Sequence, residues 1–113
     1  MGALKFGSTR GPRFASGDLL NEHFQDHRFD FDGETESEYE DLAASFLSNQ
    51  NNTDILELTR PANDDIVRFN PETDEFGILS SDGHIVTYYK PDPRIHGYPT
   101  NLDYFYAQKG RRR

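Results

Sequence analysis

The chain contains no cysteine, which excludes a disulfide framework and any thiolate metal site. No apolar run approaches the ~20 residues that a membrane-spanning helix requires, and no signal-peptide pattern opens the chain, so it reads as soluble. Apolar residues are scarce, at 34% of 113, and aromatics compensate, with nine Phe and six Tyr. That length and composition suit one domain with a single modest core. Basic residues are few as well: 12 Lys and Arg stand against 20 acids, a formal net charge of −8. Such a balance argues against a general electrostatic affinity for nucleic acid, leaves room for a local cationic face, and equally suits a surface for a basic protein. Also missing are a Gly-rich phosphate loop, a nucleophile elbow and a Ser-His-Asp signature.

The charge is unevenly spread. Residues 1–17 carry Lys5, Arg10 and Arg13 and no acid, whereas Asp18 to Asp41 holds ten acids against Arg28 alone. Residues 1–15 mix Gly, Pro and basic residues without apolar periodicity, which predicts a flexible arm or linker. Residues 16–108 form the expected single domain, and 109–113 a basic tail.

Three consecutive strands are predicted within Asp65–Lys90. Asp82-Gly83 between alternating runs suits a two-residue type I′ turn, with Ser81 facing His84. That turn sets Leu79 against Val86, Ile78 against Thr87, Gly77 against Tyr88 and Phe76 against Tyr89. The preceding turn sets Asn70 against Glu75, hence Phe69 against Phe76 and Arg68 against Gly77. Val67, Phe69, Phe76, Ile78, Ile85, Thr87 and Tyr89 then form the core face. The other face places Arg68 beside a glycine gap and Tyr88, with Thr87 on the opposite side from Arg68.

Two helices are expected before the sheet. Ser16 caps the first, with Asp18 in its first turn, and His23 and His27 fall one turn apart at the edge of its buried stripe. That i, i+4 spacing suits either two acid/base groups near neutral pH or two partly buried, hydrogen-bonded histidines. A zinc site would need further ligands, and no His-Glu-x-x-His pattern is present. A capping box at Thr35 or Ser37 starts the second helix. Its apolar stripe is Tyr39, Leu42, Ala43, Phe46 and Leu47, and it ends near Ser48. Ile55–Arg60 alternates as a further strand. After Pro91-Asp92-Pro93, His96 sits in a loop and residues 102–108 close the domain as a short helix or an edge strand. The expected fold is therefore α+β, two N-terminal helices packed on an antiparallel sheet of four strands, or five if the last segment is one.

The blocks EHFQDHRFDF, EYEDLAASFL, DIVRFNPETDEFGILSSDGHIVTYYKPD and GYPTNLDYFYAQ together resemble the C-terminal toxin domains of bacterial polymorphic and contact-dependent inhibition systems, in the barnase/EndoU/colicin/RelE-like ribonuclease group. The resemblance spans about residues 18–108. It implies a metal-independent endoribonuclease without cofactor, acting on tRNA or rRNA in a target-cell cytoplasm after secretion or delivery, with a cognate immunity protein as partner and no membrane role. The family's pattern maps onto His23, His27, Arg68, Thr87 and Lys90, with Tyr104 where a tyrosine is common. His23, His27, Arg68, Thr87 and Tyr104 are the expected catalytic residues, and Lys90, with Tyr88 and His96 added on chemical type, the expected substrate-binding ones. Departures are Arg28 in place of a glycine and Asn63-Asp64 in place of Asn-Gly. With the net acidity they keep two other readings open: a non-catalytic acidic interaction domain, whose second helix docks a basic protein, and a degenerate toxin relic. A metal-dependent or small-molecule enzyme using the histidine pair is a third.

Overall fold

The computed structural model describes residues 11–31, 35–49 and 52–111. Residues 1–10 of the stretch expected to form an arm, and the last two residues of the basic tail, lie outside them. Among the described residues the order is β1 (Arg13–Phe14), α1 (Gly17–His27), a 3₁₀ turn (Arg28–Asp30), α2 (Glu36–Ser48), β2 (Leu56–Thr59), β3 (Ile66–Phe69), β4 (Phe76–Leu79), β5 (His84–Tyr89), α3 (Pro93–His96), α4 (Asn101–Ala107) and a second 3₁₀ turn (Gln108–Gly110). The sheet order is β1-β5-β4-β3-β2.

The α+β class and the two leading helices agree with expectation, but the sheet is mixed. β2 to β5 pair antiparallel, and β1 adds a parallel fifth strand on β5, Phe14 beside Ile85. Its backbone is held from the other side as well, because Phe14 N–H donates to Glu40 on α2 (3.1 Å) and the Phe14 ring is buried. The closing segment is helical rather than an edge strand: Thr100 Oγ1 accepts from Asp103 N–H, a side-chain cap that starts α4.

Local chemistry explains the helices. Ser16 accepts from Leu19 N–H at the start of α1. At α2, Thr35 and Glu38 exchange side-chain and backbone hydrogen bonds as a complete capping box. The two loops flanking β3 share one geometry: Arg60 N–H bonds Asp65 O and Asn70 N–H bonds Glu75 O, while Asp64 and Asp74 take positive φ (61° and 64°). Aspartate tolerates that left-handed conformation better than most residues. Asn63 and Thr73 side chains then accept from the backbone two residues on.

The β4–β5 loop differs from the two-residue turn expected. Ser80, not Ser81, pairs with His84 (N–H to O, 2.8 Å), and Gly83 alone takes positive φ (91°). A three-residue loop of this kind shifts the register by one. A bulge on β5 shifts it back: Leu79 faces Ile85, but Ile78 faces Thr87, Gly77 faces Tyr88 and Phe76 faces Tyr89, as expected. Consequently Ile85 turns to the helix side and Val86 to the other, reversing their expected faces.

Both sheet faces are covered, so neither is an open substrate platform. Ile85 and Tyr88 pack with Leu79 against Phe14, Phe24, Tyr39, Ala43, Phe46 and Leu47 of β1, α1 and α2. Val67, Phe69, Phe76 and Ile78 pack against Phe105 of α4. The glycine gap is filled by α2: a Cβ on Gly77 would lie 3.0 Å from Leu47 Cδ2. The end of α4 is tied down by a buried polar lock. Arg60 donates to Asp65 Oδ2 (3.2 Å) and to Gln108 Oε1 (2.6 Å), and Gln108 Nε2 donates to Tyr104 O (3.0 Å). Buried charge of this kind is tolerated because each group is paired and hydrogen-bonded.

Candidate active site

A cleft of about 530 Å³ opens where the last turn of α1, the end of β5 and the α3–α4 segment meet. Its lining includes His27, Tyr89, Lys90, His96 and Tyr104, with Asp26, Asp30, Asp74 and Asp92 around them. Four of the eight residues expected at the site therefore converge here: His27, Lys90, His96 and Tyr104.

His27 is brought in by helix periodicity and fixed by its surroundings. Its ring stacks on Tyr89 (centroids 4.8 Å apart, planes at 18°), and Nδ1 lies 3.8 Å from Asp30 Oδ2. Burial lowers its pKa below the usual 6.5 and outweighs the nearby Asp30 carboxylate; His23 lowers it further and Asp26 opposes. The imidazole is thus held toward its neutral form, which a proton acceptor needs at neutral pH. His23, one turn back, donates Nδ1–H to Leu19 O (3.0 Å), since a carbonyl can only accept, and this leaves Nε2 as its second functional nitrogen. The two rings are 6.2 Å apart. Among the described residues, no His, Asp or Glu joins them in a group of three placed to hold a metal ion.

Lys90 follows β5 directly. Its backbone N–H donates to Asp30 Oδ2 (3.1 Å), which links the 3₁₀ turn to the strand end, and its ammonium stands 5.4 Å from the Phe31 ring centre. The other cation lining the cleft, Arg94, is engaged by Asp92 (Nη2 to Oδ2, 2.8 Å).

His96 reaches the cleft with both ring nitrogens engaged. Nδ1 accepts from Tyr98 N–H (3.1 Å), so Nε2 carries the proton and donates to Asn101 Oδ1 (2.9 Å). The Asn101 amide is oriented by its own donations to Asp74 Oδ1 (3.2 Å) and Pro91 O (3.0 Å). A neutral imidazole held this way builds the wall and has neither a lone pair nor a proton to spare. Its ring stacks on Tyr104 (4.2 Å, 9°), whose hydroxyl is 2.6 Å from that of Tyr89. Burial and this hydrogen bond raise the Tyr89 pKa far above the ordinary phenol value.

Four expected site residues do not line the cleft: His23, whose ring centre lies 5.2 Å from that of Phe14, and three that sit elsewhere in the sheet. Arg68 is 5% exposed beneath α2, where Nη1 donates to Phe46 O (3.1 Å) and Nη2 to Asn49 O (2.6 Å). Its Nε approaches Glu57 Oε1 at 3.4 Å without hydrogen-bond alignment. Tyr88 is fully buried, its hydroxyl on Glu75 and its carbonyl accepting from the Tyr39 hydroxyl. Thr87 stands opposite Ile78, half-buried on the sheet face that packs against α4. The acidic face of α2 is also partly engaged, since Arg13 pairs with Glu40 (3.3 Å) and Asp41 (2.7 Å).

Tyr89, Asp30 and Asn101 belong to the site but escaped the sequence reading. Tyr89 had a usable signal, its position beside Lys90 at a strand end. Asn101 had none, because its three partners, His96 at the end of α3, Asp74 and Pro91, come from separate stretches.

No helix of the described residues is long and apolar enough to cross a membrane. None of the protein-family models matches the chain, and neither does any curated protein. Among solved structures, it is similar to a ribonuclease from Escherichia coli in complex with its inhibitor protein, with a TM-score of 0.53 and 24% identity, over 74% of this chain and 95% of that one. At that identity the likeness is one of fold.

Proposed function

We propose that the chain is an endoribonuclease domain that cleaves RNA by metal-independent transesterification at the His27–Lys90 cleft. The observation that carries this reading is the convergence of a half-buried imidazole from α1 with an ammonium from the end of β5. It is supported by a fold like that of a ribonuclease, and the inhibitor bound to that ribonuclease suggests a dedicated protein inhibitor here.

Neutral His27 removes the proton from a ribose 2′-hydroxyl, whose oxygen attacks the adjacent phosphorus. Lys90 stabilises the negative charge that builds on the phosphoryl oxygens. The 5′-oxygen leaves with the Nε2 proton of His23 acting as the imidazolium, its Nδ1–H staying on Leu19 O, to give a 2′,3′-cyclic phosphate and a 5′-hydroxyl. Tyr104 orients the substrate from the opposite wall. Four carboxylates around the cleft weaken its attraction for a polyanion, so recognition rests on few phosphate contacts. tRNA or rRNA in a target-cell cytoplasm is the proposed substrate, reached as a delivered toxin domain.

The test is incubation of the purified protein with tRNA and rRNA in excess EDTA, with sequencing of the cleaved ends. Cleavage with cyclic-phosphate ends is expected, slowed about 10²-fold or more in His27→Ala and in Lys90→Ala. Intact RNA under enzyme excess, or full activity in His27→Ala, refutes the reading.

A further inference from the structure

We propose that Tyr89 is a positioning residue for His27: its ring fixes the plane of the imidazole and favours the imidazolium that forms when His27 takes up a proton. The inference rests on the ribonuclease reading for its role in catalysis, while the pairing itself stands on geometry.

The near-parallel stack sets the imidazole over the electron-rich face of the phenol, the arrangement that attracts a cation. Tyr89 is itself immobilised. Its ring packs on Phe76 (5.2 Å), and its hydroxyl is bonded to that of Tyr104. Tyr104 is pinned in turn by the His96 stack, and His96 by Tyr98 N–H and Asn101. A chain of stacked rings and hydrogen bonds thus runs from the α3–α4 wall through β5 to the catalytic imidazole. The charged and titratable groups around His27 are His23 and Asp26 on its own helix, Asp30 in the 3₁₀ turn, and Tyr89 and Lys90 from β5; Asp74, Asp92, Arg94, His96 and Tyr104 line the rest of the cleft. Burial works against protonation at this position, and an aromatic face offsets part of that cost without adding a formal charge that would repel phosphate.

Tyr89→Leu and Tyr89→Phe separate the ring from the hydroxyl, and NMR titration of the His27 ring protons reads the effect without any substrate. In Tyr89→Leu the His27 midpoint is expected to fall by about half a pH unit. In Tyr89→Phe, which keeps the ring, it returns to the wild-type value. For RNA cleavage, the Leu variant is expected to lose kcat with little change in KM, and the acidic limb of its pH profile should move with the His27 midpoint. In the wild-type protein the His27 ring protons should be shifted upfield by the Tyr89 ring current, a measurement that needs no variant to fold. Unshifted His27 protons, or an unmoved midpoint in a folded Leu variant, overturn the inference. Absence of cleavage by the wild-type protein instead overturns the ribonuclease reading and leaves the titration result standing.

Discussion

Replacing Arg68 with alanine is expected to cost the protein its fold before it costs any chemistry. The guanidinium bridges two carbonyls, Phe46 O in the last turn of α2 and Asn49 O just beyond it. It therefore acts as a cationic cap on a helix C-terminus, the end where positive charge is favourable. Hydrogen bonds to a charged group contribute about 1.5–3 kcal/mol each, and removing a buried donor also leaves its acceptors desolvated. The Glu57 contact adds little, since that side chain is 52% exposed. The sum is about 3–6 kcal/mol, a large part of the 5–15 kcal/mol typical of a whole domain. At an unfolding entropy of about 2.1 cal/mol/K per residue, that corresponds to a Tm lower by about 13–25 °C. Arg68→Lys should fall between, because an ammonium lacks the rigid fork that reaches both carbonyls. Thermal and urea unfolding followed by circular dichroism give the stability, and RNA cleavage normalised to the folded fraction gives the chemistry. A Tm within about 3 °C of wild type refutes the capping argument. A normally stable variant that cleaves about 10²-fold more slowly would return Arg68 to the catalytic set.

His27 also links stability to pH. Its folded pKa lies below the 6.5 of the unfolded chain, so in that window the unfolded state binds more protons than the folded one. The contribution is fully present above 6.5 and is lost as pH falls through the lowered value; urea midpoints from pH 8 to 5 should show this decline, and His27→Gln should remove that component. Gly77→Ala should lower the urea midpoint by about 1–3 kcal/mol equivalent at unchanged slope, because its Cβ would meet Leu47 Cδ2 at 3.0 Å and Cγ at 3.3 Å. An unchanged midpoint would mean that Leu47, though buried, yields without cost.

Much of the local structure was legible in the sequence because its causes are local. Ser16, the Thr35–Glu38 box and the apolar stripe of α2 each act within one or two helical turns, and they appear where their spacing puts them, except that Leu42 of the stripe is exposed and Ala44 is buried. The β3–β4 pairing was legible for the same reason: Asn70 to Glu75 is a short loop with a defined closure. The β4–β5 loop shows how local inference fails. Its register came out right along most of the strand because a longer loop and a bulge cancel, and neither was visible in Asp82-Gly83. Strand pairing averages over such offsets, whereas the faces of Ile85 and Val86 do not.

The site was harder to read than the fold. His27, Lys90, His96 and Tyr104 come from four separate stretches, and chemical type together with the family resemblance nominated them alongside Arg68, Tyr88 and Thr87. Nothing in the sequence distinguishes an arginine that caps a buried helix from one that contacts phosphate, since both require the same guanidinium.

The sequence by itself determined the α+β class, the two leading helices with their caps, and the His23–His27 spacing, because these depend on period and on contacts within a few residues. The tertiary structure alone decided that β1 docks parallel on β5, that both sheet faces are buried, and that Arg68 caps α2 while His27 meets Tyr89 and Lys90. Those outcomes depend on which side of the sheet α2 and α4 each cover, and that is settled by apolar burial summed over residues distant in the chain.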